Sequence, residues 1–257
     1  MTAYDDAAPP AVLLRVIDEY LRRYHRHEVQ IDAQLPETPA LIVSNHGFGG
    51  ILDLNVLALA RTLDRIGDPR QTTFLVHQVA WTLGVGGLIE PLGCVPGSAA
   101  AVDEAFAAGR HVAVFPGGDV EAAKPTRERN RIKFAGRSGF ARVAIDKGVP
   151  VVPVVTAGAG ESLLVLSDGQ RLARALRLPQ LLRVKALPVS LTFPWGLNLG
   201  IAGMLPYAPL PTKLVTAVVP AMTPADGESA EAFATRVESA MQDRLTELTA
   251  DRRPVVG

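Results

Sequence analysis

The chain has 257 residues, of which 48% are hydrophobic, with 26 basic and 26 acidic side chains and one cysteine. This length can bury one sizeable core, and the balanced charge argues against a nucleic-acid partner. The lone Cys94 excludes an internal disulfide and a cysteine-based zinc site, which favours a reducing compartment.

The N-terminal segment predicts a surface helix. The first ten residues contain Asp5 and Asp6 and no apolar stretch, so we expect no signal peptide. No later apolar run approaches the roughly 18 to 20 residues of a membrane span. Apolar side chains recur at helical spacing between arginines over residues 11–26, which predicts an amphipathic helix within residues 1–30. Such a helix docks on the protein or lies on a membrane, and the pattern leaves both open.

Strand-like and helix-like segments alternate after this helix. Apolar, β-branched runs predict strands near residues 40–44, 73–76, 111–115, 151–156, 189–193 and 214–219. Helical spacing predicts helices around residues 53–66, 99–109, 138–147 and 230–248. This alternation predicts an α/β fold with a central, mostly parallel or mixed sheet flanked by helices. No linker divides the chain, so we expect one domain over residues 1–257.

A glycine-rich turn follows the first of these strands. Residues 44–50 read Ser-Asn-His-Gly-Phe-Gly-Gly, and Asp53 comes three residues later. A histidine at a strand-to-helix junction, with a carboxylate in reach, can take a proton from a hydroxyl. The same residues also fit a structural turn capped by His46, so both interpretations stay open.

Two further clusters carry chemistry-bearing residues. Residues 115–121 read Phe-Pro-Gly-Gly-Asp-Val-Glu directly after a predicted strand, and paired glycines let backbone N–H groups approach a ligand or a developing oxyanion. Seven cations then lie within residues 124–142, opposed along the chain only by Glu128: Lys124, Arg127, Arg129, Arg131, Lys133, Arg137 and Arg142. This run suits a multiply charged anion such as nucleotide-linked phosphates, or a solvated loop.

Other site classes are disfavoured. Ser138 lies in Gly-Arg-Ser-Gly-Phe, which is not the Gly-x-Ser-x-Gly nucleophile elbow, and no other serine has that context. The remaining histidines show no paired metal-ligand spacing, so we assign no metal.

Residues 171–211 have an unusual composition. Arginines and Lys185 are interleaved with leucines, and an apolar stretch broken by proline and glycine follows. Its large apolar residues are Phe193, Trp195, Leu197, Leu199, Ile201, Met204, Leu205 and Tyr207. The segment fits either an irregular excursion packed on the core or a surface that meets lipid.

Taken in order, these motifs resemble the glycerolipid acyltransferase superfamily, and most closely its monoacylglycerol/diacylglycerol acyltransferase-like branch. The resemblance covers residues 38–162. It rests on Asn45-His46 with Asp53, on residues 115–122, on residues 137–141, and on Pro153-Val154 followed by Gly160-Glu161. A glycerol-phosphate-acyltransferase-like fold is therefore expected.

The resemblance implies acyl transfer from acyl-CoA, as a co-substrate without a cofactor, to a glycerolipid or lysophospholipid hydroxyl. His46 would be the general base and Asp53 would orient it. The predicted substrate contacts are Asn45, Gly117, Gly118 and Glu121, together with, from charge alone, Arg129, Arg131, Lys133 and Arg137. A lipid substrate also implies a peripheral protein on the cytoplasmic face of the membrane.

The chain departs from the family pattern in two places. Six residues separate His46 from Asp53, a longer spacing than usual, but glycines in the turn can absorb it. Residues 91–98 carry no cation for an acceptor phosphate, which favours a neutral acceptor. The alternatives are a non-catalytic lipid- or acyl-CoA-binding protein and a thioesterase or lipid hydrolase. The sequence assigns no oligomeric state.

Overall fold

A computed structural model describes residues 11–48, 53–82, 84, 86–181, 185–200 and 207–257. The strands within these residues form two sheets. They are β1 (Glu28–Ile31), β2 (Leu41–Ser44), β3 (Thr72–Val76), β4 (Cys94–Pro96), β5 (His111–Val114), β6 (Val151–Ala157), β7 (Leu164–Ser167), β8 (Val189–Thr192), β9 (Gly196–Leu199) and β10 (Val215–Val218).

The main sheet has the order β1-β10-β6-β2-β5-β3-β4. The five strands from β6 to β4 are parallel, β10 runs antiparallel to β6, and β1 runs parallel to β10. Every residue of β2 and β6 is buried, as expected for parallel strands covered on both faces. The predicted α/β class with a mostly parallel, mixed sheet is confirmed.

The described residues also form α-helices. They are α1 (Ala11–Glu19), α2 (Leu54–Ile66), α3 (Val79–Thr82), α4 (Gly86–Ile89), α5 (Ala99–Ala107), α6 (Gly118–Ala122), α7 (Gly139–Lys147), α8 (Gln170–Ala175), α9 (Leu178–Leu181) and α10 (Ala230–Thr249). A π-helical segment (Tyr20–Tyr24) follows α1, and short 3₁₀ turns lie at Glu90–Leu92, Thr126–Glu128 and Ala159–Glu161. No helix among the described residues is long and apolar enough to cross a membrane.

The two faces of the central strands bury separate clusters. In β2, Val43 packs on one side and Ile42 on the other, because successive strand residues point to opposite faces. Helices α5, α7 and α10 cover the first face, where Phe233 and Met241 of α10 are fully buried. Leu59 of α2 belongs to the second cluster.

Several elements differ from the sequence prediction. The helix expected over residues 11–26 changes to π-helical geometry at Tyr20 and ends at Tyr24. Strands β1, β4, β7 and β9, of three or four residues each, were not predicted. Residues 1–10, Gly49, Gly50, Arg183, Ile201, Met204 and Leu205 lie outside the described part of the chain.

The winding direction of the sheet reverses at the end of β2. The chain leaves β2 for β3, which lies beyond β5, and later leaves β5 for β6 on the opposite side of β2. In open parallel sheets, ligands bind outside the carboxyl ends of strands where the winding direction reverses. The turn that holds His46 therefore lies at the topological switch point.

The second sheet is antiparallel, with the order β7-β8-β9. It contacts the turn after β2 through a small apolar cluster of Phe48, Leu163 and Val165, with Tyr207 packed against it. The rings of Phe48 and Tyr207 meet edge to face, with centroids 6.0 Å apart.

Candidate active site at the end of strand β2

Asn45 fastens the end of β2 to β6. Its Nδ2 donates to the carbonyl oxygen of Thr156 at 3.1 Å, and its Oδ1 accepts the Thr156 N–H at 2.9 Å. The side chain thus continues the parallel pairing one residue beyond the strand. Both ends of this buried amide are used inside the protein, so in this structure Asn45, predicted as a substrate contact, holds the turn.

His46 and Asp53 meet in spite of their long spacing. His46 Nδ1 lies 2.6 Å from Asp53 Oδ2. The other oxygen, Asp53 Oδ1, accepts the Asn55 N–H at 2.8 Å, so Asp53 is the N-cap of α2. The residue that starts the helix is therefore also the one that orients the imidazole.

Gly47 is required by close packing in this turn. A Cβ at this position would lie 2.5 Å from Asn55 Oδ1 and 2.7 Å from the Cβ of Ala159. Asn55 also donates from Nδ2 to the Asn45 carbonyl at 2.7 Å. A larger residue would push the turn away from α2 and from the end of β6.

The Asp53 carboxylate selects the imidazole tautomer. A carboxylate only accepts hydrogen bonds, so in the neutral ring Nδ1 carries the proton and Nε2 has the free lone pair. Among the described residues no group bonds to Nε2. The ring packs against Phe115 at the end of β5, with centroids 4.8 Å apart, and the side chain is 17% exposed. Nε2 can therefore accept a proton from a bound hydroxyl.

A buried ion pair formed by Glu121 and Lys124 binds the backbone of His46. Its N–H donates to Glu121 Oε2 at 3.1 Å, and its carbonyl accepts from Lys124 Nζ at 2.8 Å. Lys124 Nζ also lies 3.5 Å from Glu121 Oε1, which accepts the Lys133 N–H at 3.2 Å. Burial lowers the pKa of Lys124, and the Glu121 carboxylate opposes that shift.

In this structure Glu121, predicted as a substrate contact, contacts the backbone of His46 and Lys133. Its side chain is fully buried, and both oxygens are occupied by groups of the protein. Lys124, which the sequence presented only as a member of the cationic run, joins it in positioning His46. Their spacing of three residues, which brings side chains together when the chain is helical, was the signal that could have paired them.

Gly117 and Gly118 leave room for two neighbouring side chains. A Cβ on the buried Gly117 would collide with Glu121, and Gly118, at φ +48°, lies against the guanidinium of Arg137. The Gly118 N–H donates to the Phe115 carbonyl at 3.2 Å. Of the two predicted oxyanion donors, only the Gly117 amide has no acceptor among the described residues.

Arg137 braces the same glycine turn. Its guanidinium donates to the carbonyl oxygens of Pro116 and Gly117 and to Asp119 Oδ1, the last at 2.6 Å. Asp119 Oδ2 accepts the Lys185 N–H at 2.6 Å, which connects this turn to the chain leading into the second sheet.

Six of the seven cations in the run are paired with carboxylates, three of which lie within five residues in the sequence and three much farther away. The ion pairs within 4 Å are Lys124–Glu121, Arg127–Glu128, Arg129–Glu161, Lys133–Glu128, Arg137–Asp119 and Arg142–Glu231. Glu128 is thus not the only opposing acid. Within the described residues, the exposed Arg131 is the member of the run without an acidic partner, and its carbonyl accepts from Lys124 at 3.0 Å.

A second buried ion pair lies just beyond β6. Arg252 Nε and Nη2 donate to the two oxygens of Glu161 at 2.8 and 3.0 Å, and the Val255 N–H donates to the same carboxylate at 2.7 Å. Burial alone raises the pKa of Glu161, but these hydrogen bonds outweigh it and hold the pKa below its usual value. The sequence offered no signal for this pair, since its members are 91 residues apart.

The described residues contain other features that do not join this site. A cavity of about 210 Å³ lies near the amino ends of β3 and β5, lined by Thr72, Arg70 and His111 among others, and contains none of the predicted site residues. No group of three or more potential metal ligands occurs in the described part of the chain.

Comparisons with known proteins agree with this architecture. The acyltransferase family model matches residues 26–157, just over half the chain, and includes His46, Asp53 and Glu121. A solved structure, the 1-acyl-sn-glycerophosphate (LPA) acyltransferase PlsC from Thermotoga maritima, shares the fold with a TM-score of 0.52 and 18% identity, over 93% of this chain and 81% of that one.

Sequence relatives are more similar. The chicken (Gallus gallus) "DGAT1/2-independent enzyme synthesizing storage lipids" is 32% identical over 77% of this chain, and an uncharacterised protein of Mycobacterium leprae is 29% identical over 79%. The alignments span only 58% and 52% of those two proteins. The chain belongs to the acyltransferase family, within the glycerolipid acyltransferase superfamily.

Proposed function

We propose that this protein transfers a fatty acyl group from acyl-CoA to a hydroxyl of a glycerolipid or lysophospholipid. His46 acts as the general base and Asp53 orients it. The observation that carries the proposal is the 2.6 Å bond between His46 Nδ1 and Asp53 Oδ2, which leaves Nε2 open at the switch point of a parallel sheet.

The reaction needs no acyl-enzyme intermediate. Nε2 takes the proton of the acceptor hydroxyl as its oxygen attacks the thioester carbonyl. The resulting imidazolium is stabilised by the Asp53 carboxylate, as in catalytic triads. When the tetrahedral intermediate collapses, the C–S bond breaks and the imidazolium returns its proton to the departing thiolate. The products are the ester and the free CoA thiol.

Donor and acceptor are assigned by chemistry. Arg131 is exposed, and its carbonyl oxygen accepts from Lys124, the residue that also binds the His46 carbonyl. We therefore assign the Arg131 guanidinium to the CoA phosphates. Arg129, Lys133 and Arg137 are already paired, which reduces their weight as phosphate contacts. A neutral glycerolipid acceptor is favoured by the absence of a cation in residues 91–98 and by the storage-lipid synthesis named for the chicken relative.

The direct test is the His46→Ala variant, assayed by mass spectrometry with palmitoyl-CoA and a panel of lipid alcohols. We expect ester formation to fall on the order of 10²- to 10⁴-fold, since general-base assistance is lost. The thermal unfolding midpoint should stay near that of the unmodified protein, because the ring is partly exposed and its backbone is held independently.

Two results would contradict the proposal. Near-full ester formation by His46→Ala would remove His46 as the base. Release of free fatty acid by the unmodified protein, without ester formation from any offered alcohol, would identify a hydrolase instead.

A further inference from the structure

In the β7-β8-β9 sheet, apolar side chains face outward and mostly polar side chains face inward. An antiparallel sheet with one covered side normally places apolar residues inward and polar residues outward. Here five leucines face outward, each 43 to 68% exposed: Leu164, Leu166, Leu191, Leu197 and Leu199. We call this set the leucine face.

Strand register makes the leucine face continuous. Leu164 on β7 lies directly opposite Leu191 on β8, and Leu191 lies directly opposite Leu197 on β9. Directly opposed residues project on the same side of a sheet with their Cβ atoms about 5 Å apart. The leucines therefore form a row across all three strands. Single exposed leucines are ordinary on a protein surface, but a contiguous row marks an interaction site.

The inward side of the same sheet is largely polar. The row beside the leucines consists of Val165, Ser190 and Asn198, all buried. Asn198 Nδ2 donates to the hydroxyl of Thr192, which is also buried, and to the Gly196 carbonyl. These polar residues would suit water better than the leucines do, so burial of side chains within the monomer does not explain the pattern.

The segments that join the strands of this sheet are cationic and aromatic. The sequence between β7 and β8 carries five cations and one acid, and Arg171, Arg174, Arg177 and Lys185 are exposed. The β8–β9 connection presents Phe193 and Trp195, both more than half exposed. Cations beside an apolar surface complement anionic headgroups, and aromatic rings favour the boundary between headgroups and acyl chains.

The leucine face lies directly behind the candidate active site. Phe48, two residues after His46, packs against Val165 on the inward side of β7. A lipid layer on the outward side would thus be separated from the His46 turn by one thin sheet. The N-terminal π-helical segment joins the same region, because the Tyr24 hydroxyl donates to the Pro209 carbonyl at 2.7 Å.

We propose that the leucine face is the surface on which this protein docks onto an anionic lipid membrane. Docking there would hold the His46 turn beside the lipid layer that contains the acceptor. This role for docking rests on the proposed acyl transfer. A protein surface would not require the surplus of arginines, whereas anionic headgroups account for both the leucines and the cations.

The test is co-sedimentation of the full chain with vesicles made of equal parts phosphatidylcholine and phosphatidylglycerol. The variant is the double substitution Leu191→Thr and Leu197→Thr, since threonine keeps a high strand preference. The matched control is Ile31→Thr with Val256→Thr, two residues about as exposed but outside the leucine face. Circular dichroism melting checks that each variant folds.

We expect vesicle partitioning of the leucine variant to fall about tenfold or more, because two half-exposed leucines no longer enter the acyl layer. The control should bind as the unmodified protein does, and vesicles of phosphatidylcholine alone should bind more weakly. Unchanged binding by a folded leucine variant would overturn the proposal. The proposal would also be overturned if the unmodified protein bound neither kind of vesicle and instead dimerised through the leucine face, as measured by sedimentation velocity.

His46→Ala separates this inference from the proposed function. It should bind vesicles as the unmodified protein does. If His46→Ala binds normally and still transfers acyl groups, the catalytic proposal fails while docking stands. If it is inactive but the leucine variant binds normally, docking fails while the catalytic proposal stands.

Discussion

The two oxygens of Asp53 have different partners. Oδ2 accepts from the His46 ring at 2.6 Å, and Oδ1 caps α2 by accepting the Asn55 N–H at 2.8 Å. A single carboxylate thus couples helix initiation to the tautomer of the imidazole. This double use allows the catalytic and structural contributions of one residue to be measured separately.

Asp53→Asn is expected to abolish most activity while sparing stability. Asparagine caps helices as well as aspartate does. Once its one oxygen accepts the Asn55 N–H, its NH₂ group faces His46 Nδ1, which must then give up its proton to Nε2. We expect kcat to fall on the order of 10²- to 10⁴-fold.

The unfolding free energy of Asp53→Asn should change by less than about 0.5 kcal/mol, and that of Asp53→Ala should drop by about 1 kcal/mol through loss of the cap. Chemical denaturation beside steady-state kinetics measures both. A fully active Asp53→Asn would show that Asp53 does not set the tautomer.

Helix α6 and the segment after it act as a clamp on the end of β2. Glu121 and Lys124 hold the N–H and the carbonyl of His46, and the same pair binds the backbone of Lys133 and Arg131. The clamp is nearly solvent-free, with Glu121 fully buried and Lys124 4% exposed. A buried ammonium is tolerated only while its counter-charge is present.

Glu121→Gln is therefore expected to lower the unfolding free energy by about 3 kcal/mol or more. The variant leaves the buried Lys124 unpaired and turns an NH₂ group toward a backbone N–H. The matched control is Glu247→Gln, which removes an exposed partner of Arg244 and should cost no more than about 0.5 kcal/mol. Urea unfolding compares the two, and equal effects would contradict a clamping role for Glu121.

Buried histidines are spread through the whole molecule outside the candidate site. His25 and His111 are almost fully buried, and burial lowers the pKa of each. For His27, burial together with the nearby Arg65 and Arg61 lowers the pKa to about 4. His27 Nε2 lies 2.9 Å from the Thr216 hydroxyl on β10, which meets that of Thr156 on β6 at 2.8 Å.

These shifts predict that the protein loses stability in mild acid. Between about pH 6.5 and pH 4 the unfolded chain binds protons at histidines that stay neutral in the native state. The unfolding free energy is thus highest above about pH 6.5 and falls as pH decreases, by on the order of 1 to 2 kcal/mol from His27 alone at about pH 5. Urea unfolding at about pH 7 and pH 5 measures the loss.

His27→Gln keeps a partner for Thr216 but cannot take up a proton, so its stability should depend less on pH in this window. An unchanged pH dependence in that variant would rule out His27 as a contributor.

Local patterns were sufficient for some parts of the site. Apolar runs predicted the buried strands, and His46 and Asp53 were identified because a glycine-rich turn after a strand, with a carboxylate a few residues later, is a short-range feature. The class of fold and the family followed from the order of such motifs along the chain.

The remaining features depend on contacts between distant segments. Hydrophobic periodicity shows which residues are apolar but not which polar atoms will meet, so the burial of Asn45 and Glu121 and the pairing of Glu161 with Arg252 were decided by tertiary structure. The same holds for the leucine face, because cross-strand register, set by backbone hydrogen bonds, aligns Leu164, Leu191 and Leu197 from three separate strands. The sequence by itself determined which reactive and polar side chains the protein has. The fold decided which of them bond within the protein and which remain open to a substrate.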